Sequence, residues 1–258
     1  DGLLPLCFGH ATKLAHDLLD ADKTYEARVV LGRTTTTGDA EGEVIFSNDA
    51  VITREQWDAV VPLFTGDISQ TPPMYSALKK DGKPLYEYAR AGIEIEREAR
   101  SVRILKLETL SFDYPNVVMS VTCSKGTYIR TLAQDMGETL GVGAHLSGLR
   151  RTAVGDLQLS DALTLEQIEA IPEAERAAVL LPLDALLQDA PALYLSRELA
   201  ARFVQGQRLP WGAQQFVSDA TLRIYWQDDA LPAPLLLGLA TQENGVISPT
   251  KVLMTALP

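Results

Sequence analysis

Cysteine and histidine are scarce in this chain: Cys7 and Cys123 are its two cysteines, and His10, His16 and His145 its three histidines. The cysteines stand far apart with no second ligand at metal-binding spacing, and the histidines form no cluster. The sequence therefore points to no structural metal and to a reduced, cytoplasmic setting. Positive charge is lacking overall. A net charge of −11 argues against indiscriminate nucleic-acid binding, which relies on many lysines and arginines neutralising phosphates. Long apolar runs are missing too. Residues 177–187 and 233–240 are too short to cross a bilayer, and the first is interrupted by Pro182 and Asp184, so no membrane span is expected. The opening Asp1-Gly2-Leu3-Leu4-Pro5 has neither an initiator methionine nor a charged-then-apolar leader, and reads as the interior of a longer protein.

What is present is enough apolar residue, 46%, for one substantial core or for a large and a small domain. Charge is unevenly spread. Between Lys79 and Lys106 eight basic residues face five acidic ones, whereas acids outnumber bases from Thr152 onward, with Glu166, Glu169, Glu173 and Glu175 close together. A locally basic groove on an acidic body favours a shaped RNA over random polyanions.

Local patterns organise the chain. Residues 9–19 form an amphipathic helical pattern, residues 25–31 alternate as a strand, and residues 34–42 are a Thr-, Gly- and acid-rich loop in which Asp39 reads as a turn former. Residues 43–46 read as a strand, and Thr53 with Gln56 as a capping box ahead of a helix bearing Trp57. Consecutive prolines make residues 70–75 an extended loop, and residues 85–90 read as helix. Residues 102–107 and 117–123 read as strands and 164–181 as an acid-rich helix, with 182–191 the best candidate boundary. Beyond it a helix over 197–204 precedes strands over 222–226, 235–240 and 246–253. This module of about 65 residues is near the lower limit for independent folding.

The run Cys123-Ser124-Lys125-Gly126-Thr127-Tyr128-Ile129-Arg130 is the most informative. Val117, Met119, Val121 and Cys123 keep strand period, and then Ile129, Leu132, Met136 and Leu140 recur at helical spacing. Thr127 is thus the expected N-cap, with Tyr128 and Arg130 in the first turn. A helix start favours anions, and Lys125 with Arg130 adds positive charge there. Arg130 equally suits a surface pair with Asp135, Cys123 an inert strand residue, and His145 a satisfied structural histidine.

Five segments in order carry a resemblance: GLLPLCFGHATK, DADKTYEARVVLG, MYSALKKDGKPLYEYARAGIEIEREAR, CSKGTYIRTLAQDMG and GAHLSGLRRTAVG. Together they resemble the bacterial TruB-type tRNA pseudouridine synthases, over about residues 2–155. The resemblance implies an α/β (α+β) fold, with a mixed, antiparallel-rich sheet flanked by helices over residues 1–185 and a small β-rich PUA-like RNA-binding domain over 191–258. It implies isomerisation of the T-loop uridine 55 of tRNA by base flipping, glycosidic cleavage and C–C rejoining, with no cofactor, the tRNA T-arm as partner, no protein partner and a monomer. Extrusion costs stacking, which an aromatic face partly replaces. Tyr128 matches the family tyrosine for that role, and Arg130 the arginine that pairs with the catalytic aspartate. Tyr25 matches a second nucleotide-contacting tyrosine and Leu149 a residue lining the uridine pocket. Lys125, Arg150 and Arg151 complete the expected substrate contacts, and Lys79, Lys80 and Lys83 are candidates for the RNA backbone.

One departure stands out. The family's catalytic aspartate lies in a pattern G-[AT]-L-D-P-x-A-[TD]-G whose last glycine aligns with Gly2, so Asp1 occupies the [TD] slot and no catalytic role is carried over to it. Two other readings follow from the residues: a non-catalytic tRNA-binding or tRNA-folding module, and a sugar- or nucleotide-binding α/β domain with a β appendage.

Overall fold

The structure, a computed structural model, describes residues 2–185, 187–212 and 220–258, apart from the side chain of Asp17; Asp1 lies outside the described residues. Strands in chain order are β1 (Lys23–Leu31), β2 (Arg33–Thr35), β3 (Val44–Ser47), β4 (Gly66–Gln70), β5 (Lys79–Lys80), β6 (Lys83–Pro84), β7 (Arg100–Asp113), β8 (Asn116–Cys123), β9 (Ala144–Val154) and β10 (Leu157–Gln158). They continue with β11 (Ala192–Leu195), β12 (Leu209–Pro210), β13 (Leu222–Trp226), β14 (Leu235–Glu243) and β15 (Val246–Val252). The α-helices are α1 (Ala15–Asp20), α2 (Arg54–Val60), α3 (Leu85–Arg90), α4 (Ile129–Thr139), α5 (Leu165–Ala170) and α6 (Arg197–Val204).

The chain folds into two units that are discontinuous in sequence. Residues 2–4 and Leu19–Ala162 form one; Pro5–Leu18 and Leu163–Pro258 form the other. The composition places a boundary at 182–191, whereas the packing divides the chain at 162/163 and also assigns Pro5–Leu18 to the second unit.

The first unit is built on a six-stranded antiparallel sheet in the order β10-β9-β1-β8-β7-β4. Strand alternation buries Val117, Met119, Val121 and Cys123 of β8 beside Ala27, Val29 and Leu31 of β1, and α4 covers that face with Ile129, Leu132, Ala133 and Met136. Burying a large apolar side chain of this kind contributes roughly 1.5–3 kcal/mol. The Thr53–Gln56 capping box forms as expected. Behind it Trp57 is fully buried, its indole N–H donating to Thr109 Oγ1 at 2.8 Å.

The second unit carries a five-stranded sheet in the order β11-β13-β14-β15-β12, in which only the β11–β13 pair is parallel. Leu193, Phe203, Leu222, Ile224, Leu237 and Ile247 form its core. Leu14 packs with Tyr225, Leu236 and Leu253 of the same unit, although more than two hundred residues separate it from them in sequence.

Two local expectations are corrected, and one strand carries no sequence expectation. The helix after Gly126 starts at Ile129 with Tyr128 as its N-cap, because the Thr127 hydroxyl donates to Ser124 O at 2.9 Å and does not cap the helix. Residues 164–181 are not one helix: α5 ends at Ala170 ahead of Pro172, which lacks an N–H, and a 3-10 segment follows over Glu173–Val179. Residues 144–154, which carry no clean alternation, form the long strand β9; register shifts at Thr24/Tyr25 and Arg28/Val29 disrupt the period that would announce it.

Candidate active site

Strand register assembles the first part of the site. Tyr25 on β1 lies opposite Arg151 on β9, and Ala27 lies opposite Leu149. Directly opposed residues project to the same side of a sheet, so Tyr25, Leu149 and Arg151 share one face. They line an open hollow together with Gly2, Leu3 and Leu4. Leu149 leaves 38% of its surface open; β1 flanks it on one side, whereas β10 pairs with β9 only at Ala153 and Val154.

Arg151 closes the hollow at its edge. The Leu3 N–H donates to Arg151 O at 2.8 Å, Arg151 Nε donates back to Leu3 O at 2.8 Å, and Gly2 forms a parallel bridge with Arg151. Gly2 has φ +123°, and a Cβ there would meet the Arg151 nitrogen at 2.5 Å, so both its backbone geometry and the available space require glycine. Part of the Arg151 guanidinium is thereby engaged within the protein. Burial, with the Cys123 side chain, raises the pKa of the Tyr25 phenol above its ordinary value while Arg151 opposes the rise, so Tyr25 is a neutral hydroxyl at physiological pH.

Arg150 behaves differently. It faces Glu26 across the ladder and alternation turns it to the sheet face opposite Leu149 and Arg151, which separates it from the hollow.

The other candidate residues lie at the start of α4. β8 ends at Cys123, the cross-strand partner of Lys23, so the chain leaves the sheet at the end where β1 begins, two residues from Tyr25, and Tyr128 and Arg130 follow. Both are half-buried; neither is among the residues lining the hollow. Arg130 is held by three acceptors: one terminal nitrogen donates to Asp39 Oδ2 at 3.0 Å and Thr37 O at 3.2 Å, and the other to Tyr75 O at 2.6 Å. Its acidic partner is therefore Asp39, not Asp135. Asp39 is also the turn former the sequence indicates, since its Oδ1 accepts from Thr37 Oγ1 and from the Glu41 N–H. That dual use was not legible, because nothing local marks a partner so distant in sequence.

The remaining predicted cations are dispersed. Lys125 donates to Asp20 at 2.8 Å across an exposed pair. Lys79 and Lys80 are exposed on the β5–β6 hairpin, and Lys83 sits 4.8 Å from the Tyr88 ring centroid and 3.9 Å from Glu87. Cys123 is buried, which pushes its thiol up to about 11, and His145 bonds Arg33 O, in keeping with structural roles for both. Among the described residues no group of three or more His, Cys, Asp and Glu could hold a metal ion. No helix there is long and apolar enough to cross a membrane.

The sequence match decides the family. Residues 1–129 match the TruB family pseudouridylate synthase N-terminal domain, residues 130–188 the tRNA pseudouridylate synthase B C-terminal domain, and residues 191–253 the pseudouridine synthase II TruB C-terminal domain. The chain belongs to the TruB family. A tRNA pseudouridine synthase B of Cupriavidus metallidurans is 55% identical over 258 residues, covering 97% of this chain and 81% of that protein. Its counterpart in Burkholderia lata is 54% identical, covering 99% and 78%. A solved structure described as a crystal structure of a Cbf5-Nop10-Gar1 complex aligns with a TM-score of 0.70 at 23% identity, over 98% of this chain and 73% of that one, which shows a common fold. The mixed α/β, antiparallel-rich architecture and the small PUA-like β domain are thus those of TruB-type proteins. In this TruB-family chain, tertiary pairing brings together Tyr25, Leu149 and Arg151 from motifs more than a hundred residues apart.

Proposed function

We propose that this chain isomerises uridine to pseudouridine in tRNA, with the T-loop uridine 55 as target. The observation that carries this reading is the hollow itself: in a TruB-family chain, Tyr25, Leu149 and Arg151 meet around an open, mainly apolar recess that presents an aromatic ring beside apolar walls. The base leaves its stack and enters beside the neutral Tyr25 ring, with Leu149 and Leu3 supplying apolar walls. The C1′–N1 bond breaks, the uracil turns, and a C1′–C5 bond forms. The proton on C5 goes to solvent and N1 gains one, so atoms and electrons balance without a redox partner, and no cofactor is called for.

Tyr128 offers a second aromatic face and Arg130 a fixed positive charge for the family's aspartate, whose motif precedes Gly2 in the pattern. A guanidinium so placed keeps a carboxylate ionised. Lys79, Lys80 and Lys83 serve the RNA backbone in this reading, Lys125 contacts the substrate, and Arg151 serves the pocket edge. Residues 1–185 carry the chemistry and 191–258 the auxiliary RNA contacts of a cytoplasmic monomer.

The test is tritium release from tRNA labelled at uracil C5, using the gene's full product. Release above background that disappears when uridine 55 is replaced supports the proposal. Intact tRNA binding without release rejects the activity, and release from other positions rejects the target.

A further inference from the structure

We propose that Gln70 is a positioning residue for the isomerisation, acting through the backbone of Tyr128; this rests on the function proposed above. Gln70 is the last residue of β4, paired with Arg100 at the edge of the sheet, and only 2% of its surface is exposed. A glutamine amide at such depth needs partners for both its carbonyl and its amino group. It finds them on a single residue. Gln70 Oε1 accepts from the Tyr128 N–H at 3.1 Å, and Gln70 Nε2 donates to Tyr128 O at 3.3 Å. The side chain thus imitates a strand and holds the N-cap of α4 by its donor and its acceptor together.

Tyr128 has no side-chain cap of its own, and its carbonyl already accepts the first helical bond from the Leu132 N–H at 3.0 Å. The clamp sets the two peptide planes that flank its Cα, and hence the direction in which the phenol leaves the backbone. Five residues after Gln70, Tyr75 O accepts from Arg130. One short stretch, 70–75, therefore braces Tyr128 by its backbone and Arg130 by its guanidinium. A displacement of about 1 Å in such a group costs about a hundredfold in rate, whereas affinity drawn from many phosphate contacts changes little.

The isosteric Gln70→Glu variant gives a signature that packing alone does not. A buried carboxyl has its pKa raised, so at acid pH it is protonated, accepts from the Tyr128 N–H and donates to Tyr128 O as glutamine does. Once ionised it turns a lone pair toward Tyr128 O, and the clamp fails on that side. The experiment measures single-turnover tritium release and tRNA affinity for the full protein, Gln70→Glu and Gln70→Met, from about pH 5.5 to about pH 8.5. The ratio of the Gln70→Glu rate to wild type is expected within about threefold of unity at the acid end and about tenfold lower at the alkaline end, with affinity changed less than about threefold. Gln70→Met is expected about tenfold slow throughout. A flat Gln70→Glu ratio, or a wild-type rate in Gln70→Met, overturns the inference while leaving the functional proposal standing. A wild-type protein that binds tRNA without turnover overturns both. Where Gln70→Met does not fold, the Gln70→Glu profile alone decides.

Discussion

Arg130 at the start of α4 and Asp39 in the loop after β2 form an ion pair of 3.0 Å, with about a quarter of each side chain exposed. The pair ties the helix start to a turn that Asp39 itself organises, so charge placement and backbone shape are set by the same carboxylate. Thr37 O and Tyr75 O occupy further guanidinium donors, which leaves Arg130 little freedom to reorient.

Asp39→Asn therefore removes the counter-charge while keeping size and most turn contacts. Charge-assisted hydrogen bonds are about twice as strong as neutral ones, and each 1.36 kcal/mol is about tenfold in rate. The variant is expected to lose about tenfold to a hundredfold in single-turnover rate with tRNA affinity within about threefold, measured by tritium release and filter binding. An equal loss in affinity would move Arg130 from the reacting centre to RNA binding.

The Tyr25 ring and the Tyr25 hydroxyl are separable. Tyr25→Phe keeps the aromatic face in the hollow, whereas Tyr25→Ala removes it, and stacking of a base on an aromatic side chain contributes about 1–3 kcal/mol. Tyr25→Ala is expected to weaken capture of a 5-fluorouridine-substituted tRNA by at least about tenfold, with Tyr25→Phe binding like wild type. Equal binding by all three proteins would show that the flipped base lies elsewhere.

The exposed β5–β6 hairpin is tested by salt. Every phosphate that a cation no longer neutralises reduces the slope of log affinity against log salt by roughly 0.7–0.9. Replacing Lys79 and Lys80 with alanine is expected to flatten the slope for tRNA by up to about two such increments, read from binding isotherms at several salt concentrations. An unchanged slope would assign both lysines to solvent.

In the second unit, Asp184 accepts from Arg223 at 2.8 Å and from the Tyr225 hydroxyl, and both partners of the ion pair are mostly buried. Burial tends to raise the Asp184 pKa, but the bonds from Tyr225 and Arg223 outweigh it and hold the carboxyl below its ordinary 3.8. Burial and Asp184 push Tyr225 up to about 12 from 10.0. A lowered acid pKa stabilises the fold above the unfolded value and is lost on acidification through the folded one. A raised phenol pKa stabilises below the unfolded value and is lost as pH rises from about 10 toward 12. The cluster is thus expected to contribute evenly between roughly pH 4 and pH 10 and to fade on both sides. Arg223→Ala should cost about 3 kcal/mol in urea unfolding at neutral pH, because it leaves a carboxylate without its ion-pair partner. A change below about 0.5 kcal/mol would make the pair a solvated one.

Much of the fold was legible because its determinants are local. Alternation in residues 117–123, the Thr53–Gln56 capping box and the helical spacing after Gly126 all report backbone preference and one-sided burial, and the corresponding elements form. β9 escaped because its two register shifts break the period and its outer face is polar, so neither alternation nor hydrophobicity marks it. The site suffers more from this than the fold does. Arg150 and Arg151 are neighbours in sequence, yet the strand sends one toward Glu26 and the other toward Tyr25 and the hollow.

By itself the sequence determined which residue types stood ready for the chemistry, the order of the TruB motifs, and the local elements that carry them, since all of these depend on neighbours within a few positions. Only the tertiary structure decided the partnerships: Tyr25 with Arg151, Arg130 with Asp39, and Gln70 with the Tyr128 backbone. Hydrogen bonds and ion pairs act over a few ångströms between atoms that chain folding brings together from 58 to more than a hundred residues apart, and no local period encodes which will meet.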